Sequence, residues 1–186
     1  MSLRPSGVVQ PDATLQILNW NGKHLLAKSL PAAIAAVDRV GGGNEVVVVD
    51  NGSSDGSVAF VREHYPGVRL VSLDQNYLFT GGNNRGLETS SKDIVVFLNN
   101  DMVVHPDFLQ PLLDGFRDPK VFAMTSQIFF EDRNRRREET GKTRARFEGG
   151  FFRMWHDKIE EFEENVDSIP VVWAGGGSCA FDRRKY

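Results

Sequence analysis

Three polar clusters in this chain combine residue types that can do chemistry. The first is Asp50-Asn51-Gly52-Ser53-Ser54-Asp55-Gly56, which follows the β-branched run Glu45–Val49. A carboxylate leaving a buried strand can accept hydrogen bonds from a base edge or a ribose, and Gly52 and Ser53 let backbone approach a ligand closely. The same residues also suit a plain polar turn, with Ser54 or Asp55 capping the next helix. A calcium loop fails, because its twelfth position needs Glu and holds Arg62. The second cluster, Asn76 to Gly86, contains Gly81-Gly82, Asn84 and Arg85. Two glycines ahead of a helix offer free N–H groups to a phosphate, with Arg85 adding charge. A helix start packed tightly on a sheet explains them equally well. The third, Asn99-Asn100-Asp101, follows the apolar run Ile94–Leu98. A strand-end carboxylate beside amide oxygens suits Mg²⁺ or Mn²⁺ carrying a diphosphate, since these ions take few protein ligands and complete their shell with water and phosphate, although a single Asp in a loop is more often structural.

The elements that must position these clusters follow from hydrophobic patterning. Thr14–Leu18, Glu45–Val49, Val68–Leu73, Ile94–Leu98 and Val121–Thr125 read as strands. Leu25 to Val37 has helical spacing, with Pro31 expected to kink or divide the helix. Helices are also predicted after Asp55, over Gly82–Thr89 and over Pro106–Phe116, the last with Pro106 in its first turn. Strands alternating with helices predict an α/β fold, a Rossmann-like, mostly parallel sheet with helices on both faces. The three clusters then fall at strand C-terminal ends, where open α/β sheets bind ligands, and converge on one cleft. After Phe130 the pattern weakens. Arg133–Arg146, with seven Lys or Arg residues, and the acidic Asp157–Asp167 are read as exposed or poorly ordered excursions.

Composition narrows the function classes. The chain has 186 residues, 40% hydrophobic and 25% charged, enough for one domain with its own core. A net charge of −3 gives no global basic field for nucleic acid. The apolar runs are strand-sized, too short for a membrane span, and the first residues lack a signal core. One cysteine, Cys179, cannot form an internal disulfide. The end at Arg183-Arg184-Lys185-Tyr186 reads as a truncation. No Gly-x-Gly turn follows the first strand, which argues against a dinucleotide-binding oxidoreductase. His24, His64, His105 and His156 have no zinc-site spacing.

Taken in order, Leu15-Gln16-Ile17-Leu18-Asn19-Trp20-Asn21-Gly22, the Asp50 cluster, Asn76 to Gly86 and Phe97-Leu98-Asn99-Asn100-Asp101 resemble the family 2 inverting glycosyltransferases. The likeness is nearest to the rhamnosyltransferase-like branch of bacterial polysaccharide synthesis, and it returns at Trp173–Tyr186. It implies a GT-A fold in a single domain, with the nucleotide-sugar part over about 14–130 and acceptor-side sequence over about 131–186. It also implies a nucleoside-diphosphate sugar donor and a saccharide or lipid-linked acceptor, in the cytoplasm or at the inner face of a membrane. By this resemblance Asn19, Asn21, Asp50, Gly52, Ser53, Gly82, Asn84, Arg85, Asn99 and Asn100 serve the nucleotide sugar. Asp101 serves Mg²⁺ or Mn²⁺, and Asn99 stands where many members have the first Asp of Asp-x-Asp. Trp173, Gly176 and Gly177 belong to a segment near sugar and acceptor, although a Gly-rich turn entering a strand describes them as well. Trp155 and Trp173 could stack on a sugar, or simply fill local core. The general base is expected beyond Tyr186, with Asp182 the nearest carboxylate before it. A non-catalytic nucleotide-sugar-binding or interaction domain is the alternative.

Overall fold

The computed structural model describes residues 11–129, 142–157 and 168–186. Strand β1 (Ala13–Asn19) leads to helix α1 (Lys23–Val40), then β2 (Glu45–Asp50), α2 (Ser57–His64), β3 (Arg69–Ser72), α3 (Leu78–Glu88) and β4 (Ile94–Asn99). Helix α4 (Leu109–Gly115) and strand β5 (Ala123–Thr125) follow. Strands β6 (Thr143–Glu148) and β7 (Phe151–His156) form a separate hairpin, and β8 (Ser178–Asp182) runs into a final 3₁₀ turn, Arg183–Lys185.

The main sheet has the order β3-β2-β1-β4-β8-β5. Strands β1 to β4 are mutually parallel, while β8 is antiparallel to both β4 and β5. Chain order reverses between β1 and β4, so the crevice at their C-terminal ends is the switch point of the sheet. Period-two alternation gives each face its own partners. Leu15, Ile17, Val46, Val48, Ile94, Val96 and Leu98 share a core with Leu26, Leu30 and Ala33 of α1, Val61 of α2 and Leu109 and Leu113 of α4. On the other face Val95, Phe97 and Cys179 pack with Leu87 of α3. Helices therefore cover both sides, as the continuous apolar strands require.

Several sequence expectations change. Pro31 lies inside one continuous α1 rather than dividing it. Proline removes the bond to the carbonyl of Ala27, but both residues face solvent, where water can serve that oxygen. Burial of Leu26, Leu30, Ala33, Ala36 and Val37 outweighs the loss. Helix α3 starts at Leu78, four residues before its expected start, because Asn76 Oδ1 accepts from Leu78 N at 2.7 Å and begins the turn earlier. Helix α4 begins after Pro106, at Leu109. The basic stretch is not wholly an excursion: Thr143–Arg146 belongs to β6, and Arg144 donates to Asp157 at 2.9 Å. Residues 133–141 and 158–167 lie outside the described residues.

Candidate functional site

Parallel register brings Asn19 level with Asp50 at the ends of β1 and β2. Asn19 is fully buried, and its Nδ2 donates to Asp50 Oδ2 at 3.1 Å and to Ser53 Oγ at 3.3 Å. Its Oδ1 accepts from Asn100 Nδ2 at 2.9 Å, which adds the end of β4 to the network. Asp50 Oδ1 accepts from Ser53 N at 2.9 Å, closing the turn after β2. Asn21 ties the first turn to the second: its N donates to Ser53 Oγ and its Oδ1 accepts from Ser54 N, both at 2.8 Å. Three strand ends, distant in sequence, are thus held as one rigid platform. Asp55 joins the helix starts to it, accepting from Lys23 N at 2.9 Å and from Ser57 N at 3.0 Å. Burial pushes the Asp55 carboxyl upward, but the bonds from Ser57 and Lys23 outweigh that and hold it below the ordinary carboxylate range.

Against this platform lies a cavity of about 380 Å³ lined by Leu18, Trp20, Asn51, Asn76, Leu78, Phe79, Asn99, Asn100 and Asp101. That size falls within the range of small-molecule sites. Trp20 and Phe79, 56% and 51% exposed, offer large apolar faces, while Asn76 offers an amide. Asn51 is itself fixed, donating to Asn76 Oδ1 and Leu78 O and accepting from Tyr77 N. Leu78 holds φ at +60°, and a leucine in that left-handed region stores strain beside the opening. The Asp101 carboxylate is exposed and carries no hydrogen bond or ion pair among the described residues.

The sequence-predicted residues divide into two groups. Asn99, Asn100 and Asp101 line the cavity, whereas Asn19, Asn21, Asp50 and Ser53 form the platform beside it. Gly52, at φ +76°, packs where a Cβ would meet the Gln75 backbone at 2.6 Å, so it shapes the turn. Gly82 does not precede a helix but lies within α3, buried where a Cβ would meet Leu18 Cδ1 at 2.6 Å. Its role here is close helix–sheet packing, and the free N–H groups expected there are taken up by the earlier helix start. Arg85 stacks on the Tyr77 ring at 3.3 Å and donates to Gly81 O, and exposed Asn84 lies on the same helix; neither lines the cavity. Gly177 O accepts from Asn99 N at 3.0 Å, and a Cβ on Gly176 would lie 3.4 Å from Phe79. The segment before β8 therefore borders the cavity, while Trp173 packs edge-on against His156 at 5.3 Å. Trp155 is 42% exposed and donates from Nε1 to Asp157 Oδ1, so it does not fill core.

Asp182 is placed by antiparallel pairing opposite Ile94, at the start of β4 and the far edge of the sheet from the cavity. Hydrogen bonds from Arg184 and Lys185 hold its carboxyl far below the ordinary range, which makes it a poor proton acceptor as well as a distant one. Sequence reasoning missed the cavity walls Leu18, Trp20, Asn51, Asn76, Leu78 and Phe79. Trp20, Leu78 and Phe79 could have been found as large apolar residues inside otherwise polar turns.

A protein-family model described as glycosyl transferase family 2 matches residues 17–186. An undecaprenyl-phosphate 4-deoxy-4-formamido-L-arabinose transferase of Edwardsiella ictaluri is 33% identical over 100 residues, covering 52% of this chain and 31% of that protein. The chain thus spans about a third of the length of this curated relative. Among solved structures, the mannosyltransferase PcManGT from Pyrobaculum calidifontis, in complex with GDP-Man and Mn²⁺, is similar with a TM-score of 0.53 and 28% identity, over 64% of this chain and 36% of that one. Residues 1–349 of S. aureus TarS share the fold with a TM-score of 0.59 at 16% identity, over 72% of this chain and 40% of that one. The fold is GT-A, as the sequence resemblance implied.

Proposed function

Because this chain belongs to glycosyl transferase family 2, we propose that it binds a nucleoside-diphosphate sugar at the β1–β4 switch point and serves transfer of that sugar, with inversion, to a hydroxyl acceptor. The observation that carries this reading is Asp101: an exposed carboxylate without a partner among the described residues, on the wall of a cavity otherwise lined by amides and apolar side chains. Among the described residues no three acidic, His or Cys groups cluster. One carboxylate with neighbouring amide oxygens fits a Mg²⁺ or Mn²⁺ whose other ligands are phosphate and water. Asp101, beside Asn99 and Asn100, would hold the ion, which when bound offsets charge developing on the departing diphosphate.

The protein's own contributions follow from its geometry. Trp20, Leu78 and Phe79 supply apolar faces to base or sugar, Asn76 supplies an amide near them, and Asn51 holds Asn76 and the start of α3 in place. The Asn19–Asp50–Ser53–Asn100 network fixes the three turns, so that little ordering remains to be done when donor binds. We assign the donor part to about residues 14–130 and the acceptor side to the segment holding Trp173, Gly176 and Gly177, which borders Phe79 and Asn99. In the transfer, the acceptor oxygen bonds the anomeric carbon as the bond to the diphosphate oxygen breaks. The acceptor proton passes to a general base, a role Asp182 does not fill. No described helix is long and apolar enough to cross a membrane. We place the reaction in the cytoplasm, or at the inner membrane face for a lipid-linked saccharide acceptor.

Calorimetric titration with UDP-, dTDP- and GDP-linked sugars, with Mn²⁺, Mg²⁺ or chelator, tests the reading. Metal is expected to strengthen binding at least about tenfold in the parent and not in Asp101→Ala. Equal metal dependence in parent and variant, or no binding of any donor, would overturn it. Donor binding with no transfer to any hydroxyl would leave a binding module in its place.

A further inference from the structure

The β6–β7 hairpin is unused by the site and has an unusual surface. Its two-residue turn, Gly149-Gly150, has φ of +60° and +83°, which matches the twist of a tight hairpin. Cross-strand partners share a face, so one face carries the pairs Ala145–Met154 and Phe147–Phe152, and the other carries Arg144–Trp155, Arg146–Arg153 and Glu148–Phe151. Phe147, Phe151 and Phe152 at the tip are 72%, 73% and 59% exposed, and Met154 is 59% exposed.

The base of the ribbon, by contrast, is anchored. Thr143 is buried, its Oγ1 donating to Trp173 O and accepting from Val172 N and Trp173 N. His156 packs on Trp173, and Arg144 bonds Asp157 and Pro170 O. A ribbon held at its base thus projects an apolar tip.

We propose that this tip seats the protein on a lipid bilayer bearing anionic headgroups. Phenylalanines emerge on both faces of the tip, and a flat protein partner would cover only one of them. The boundary between headgroups and acyl chains surrounds the tip and covers both. Charge behind the tip is arranged to match, and Glu148 beside the turn is the one acidic group on the two strands. Arg146 and Arg153 stand directly opposite each other, two residues behind Phe151, or about 7 Å along the strand. That separation suits apolar groups sunk about 5–10 Å while guanidinium groups meet phosphate. Two like charges side by side are unfavourable in water, and an anionic surface relieves them. Arg146 also pairs with Glu148 at 3.4 Å, whereas Arg153 has no ion pair among the described residues. Trp155, further back on the basic face, has the amphipathic ring favoured at such a boundary. This inference is independent of the donor site, and vesicle binding can be measured without nucleotide.

The test is co-sedimentation of the chain with vesicles of phosphatidylcholine, with and without phosphatidylglycerol. The parent should bind the anionic vesicles, and more weakly as salt rises. Phe147→Ser/Phe151→Ser/Phe152→Ser should lose at least about tenfold in partitioning to both kinds. Arg146→Gln/Arg153→Gln should lose only the preference for anionic vesicles. Far-UV circular dichroism and donor titration report whether each variant is folded, and the single variant Phe151→Ser replaces the triple one if it is not. A parent that stays in the supernatant with both vesicles, or variants that bind as it does, would overturn the proposal. So would a tip substitution that converts a dimer to monomer while leaving vesicle binding unchanged, since the tip would then be a contact between copies.

Discussion

Replacing Asn19 with Ala removes the side chain that joins the three strand-end turns. Asn19 Nδ2 is the donor to Asp50 Oδ2, and Asp50 is only 1% exposed, so the variant leaves a buried carboxylate oxygen without its partner. A hydrogen bond to a charged group contributes about 1.5–3 kcal/mol. The bond from Asn100 Nδ2 and the longer one to Ser53 Oγ add about 0.5–1.5 kcal/mol each. Water entering from the adjoining cavity should recover part of this, which leaves an expected loss of about 3 kcal/mol, a large share of the stability of an ordinary domain. Urea denaturation followed by tryptophan fluorescence measures the loss directly. Pairing the change with Asp50→Ala isolates the contact. The double variant should be more stable than the sum of the single losses predicts, by about 1.5–2 kcal/mol, because the carboxylate that Asn19 had satisfied is gone. A single-variant loss below about 1 kcal/mol, or strict additivity, would refute the idea that this network holds the platform.

Gly86→Ala should destabilise by about 1–3 kcal/mol, read as a lower Tm, because its Cβ would meet Val49 Cγ2 at 2.5 Å and Gln16 Cδ at 2.6 Å. The sign is opposite to the gain of up to about 1 kcal/mol expected for the same change on an exposed helix face. Burial pushes the Cys179 thiol up to about 12, so the native protein should resist iodoacetamide at pH 8 while the urea-unfolded chain is alkylated. A raised folded pKa adds stability below the unfolded value of about 8.5 that is lost as pH climbs toward 12. Denaturation midpoints should therefore fall above about pH 9 in the parent and fall less in Cys179→Ala.

The strands that carry the platform were legible because β2 and β4 hold continuous apolar runs and β1 is a β-rich run interrupted only by Thr14 and Gln16, each ending abruptly in Asn or Asp, a pattern set by local composition alone. Asp101 could be chosen from sequence for a similar reason: a carboxylate two residues past such a run must lie at a strand end. The start of α3 was not legible, because it depends on Asn76 Oδ1 capturing Leu78 N and on a leucine tolerating positive φ. The misplaced start turned Gly82 from a packing position into an expected phosphate turn. The β6–β7 hairpin was missed where arginines obscured the alternation, although Gly149-Gly150 between two short runs was a usable turn signal.

What the residues determine by themselves is where each strand ends and which chemistry stands there, since both follow from burial period and residue type. They do not determine which ends become neighbours. Asn19, Asp50 and Asn100 are far apart in the chain, and only the order β2-β1-β4 with its parallel register brings their amides and carboxylate within hydrogen-bonding reach. The same pairing decides against Asp182. Antiparallel β8 carries that carboxylate to the opposite edge of the sheet, because strand direction, which local sequence does not encode, decides which end of a strand faces the site.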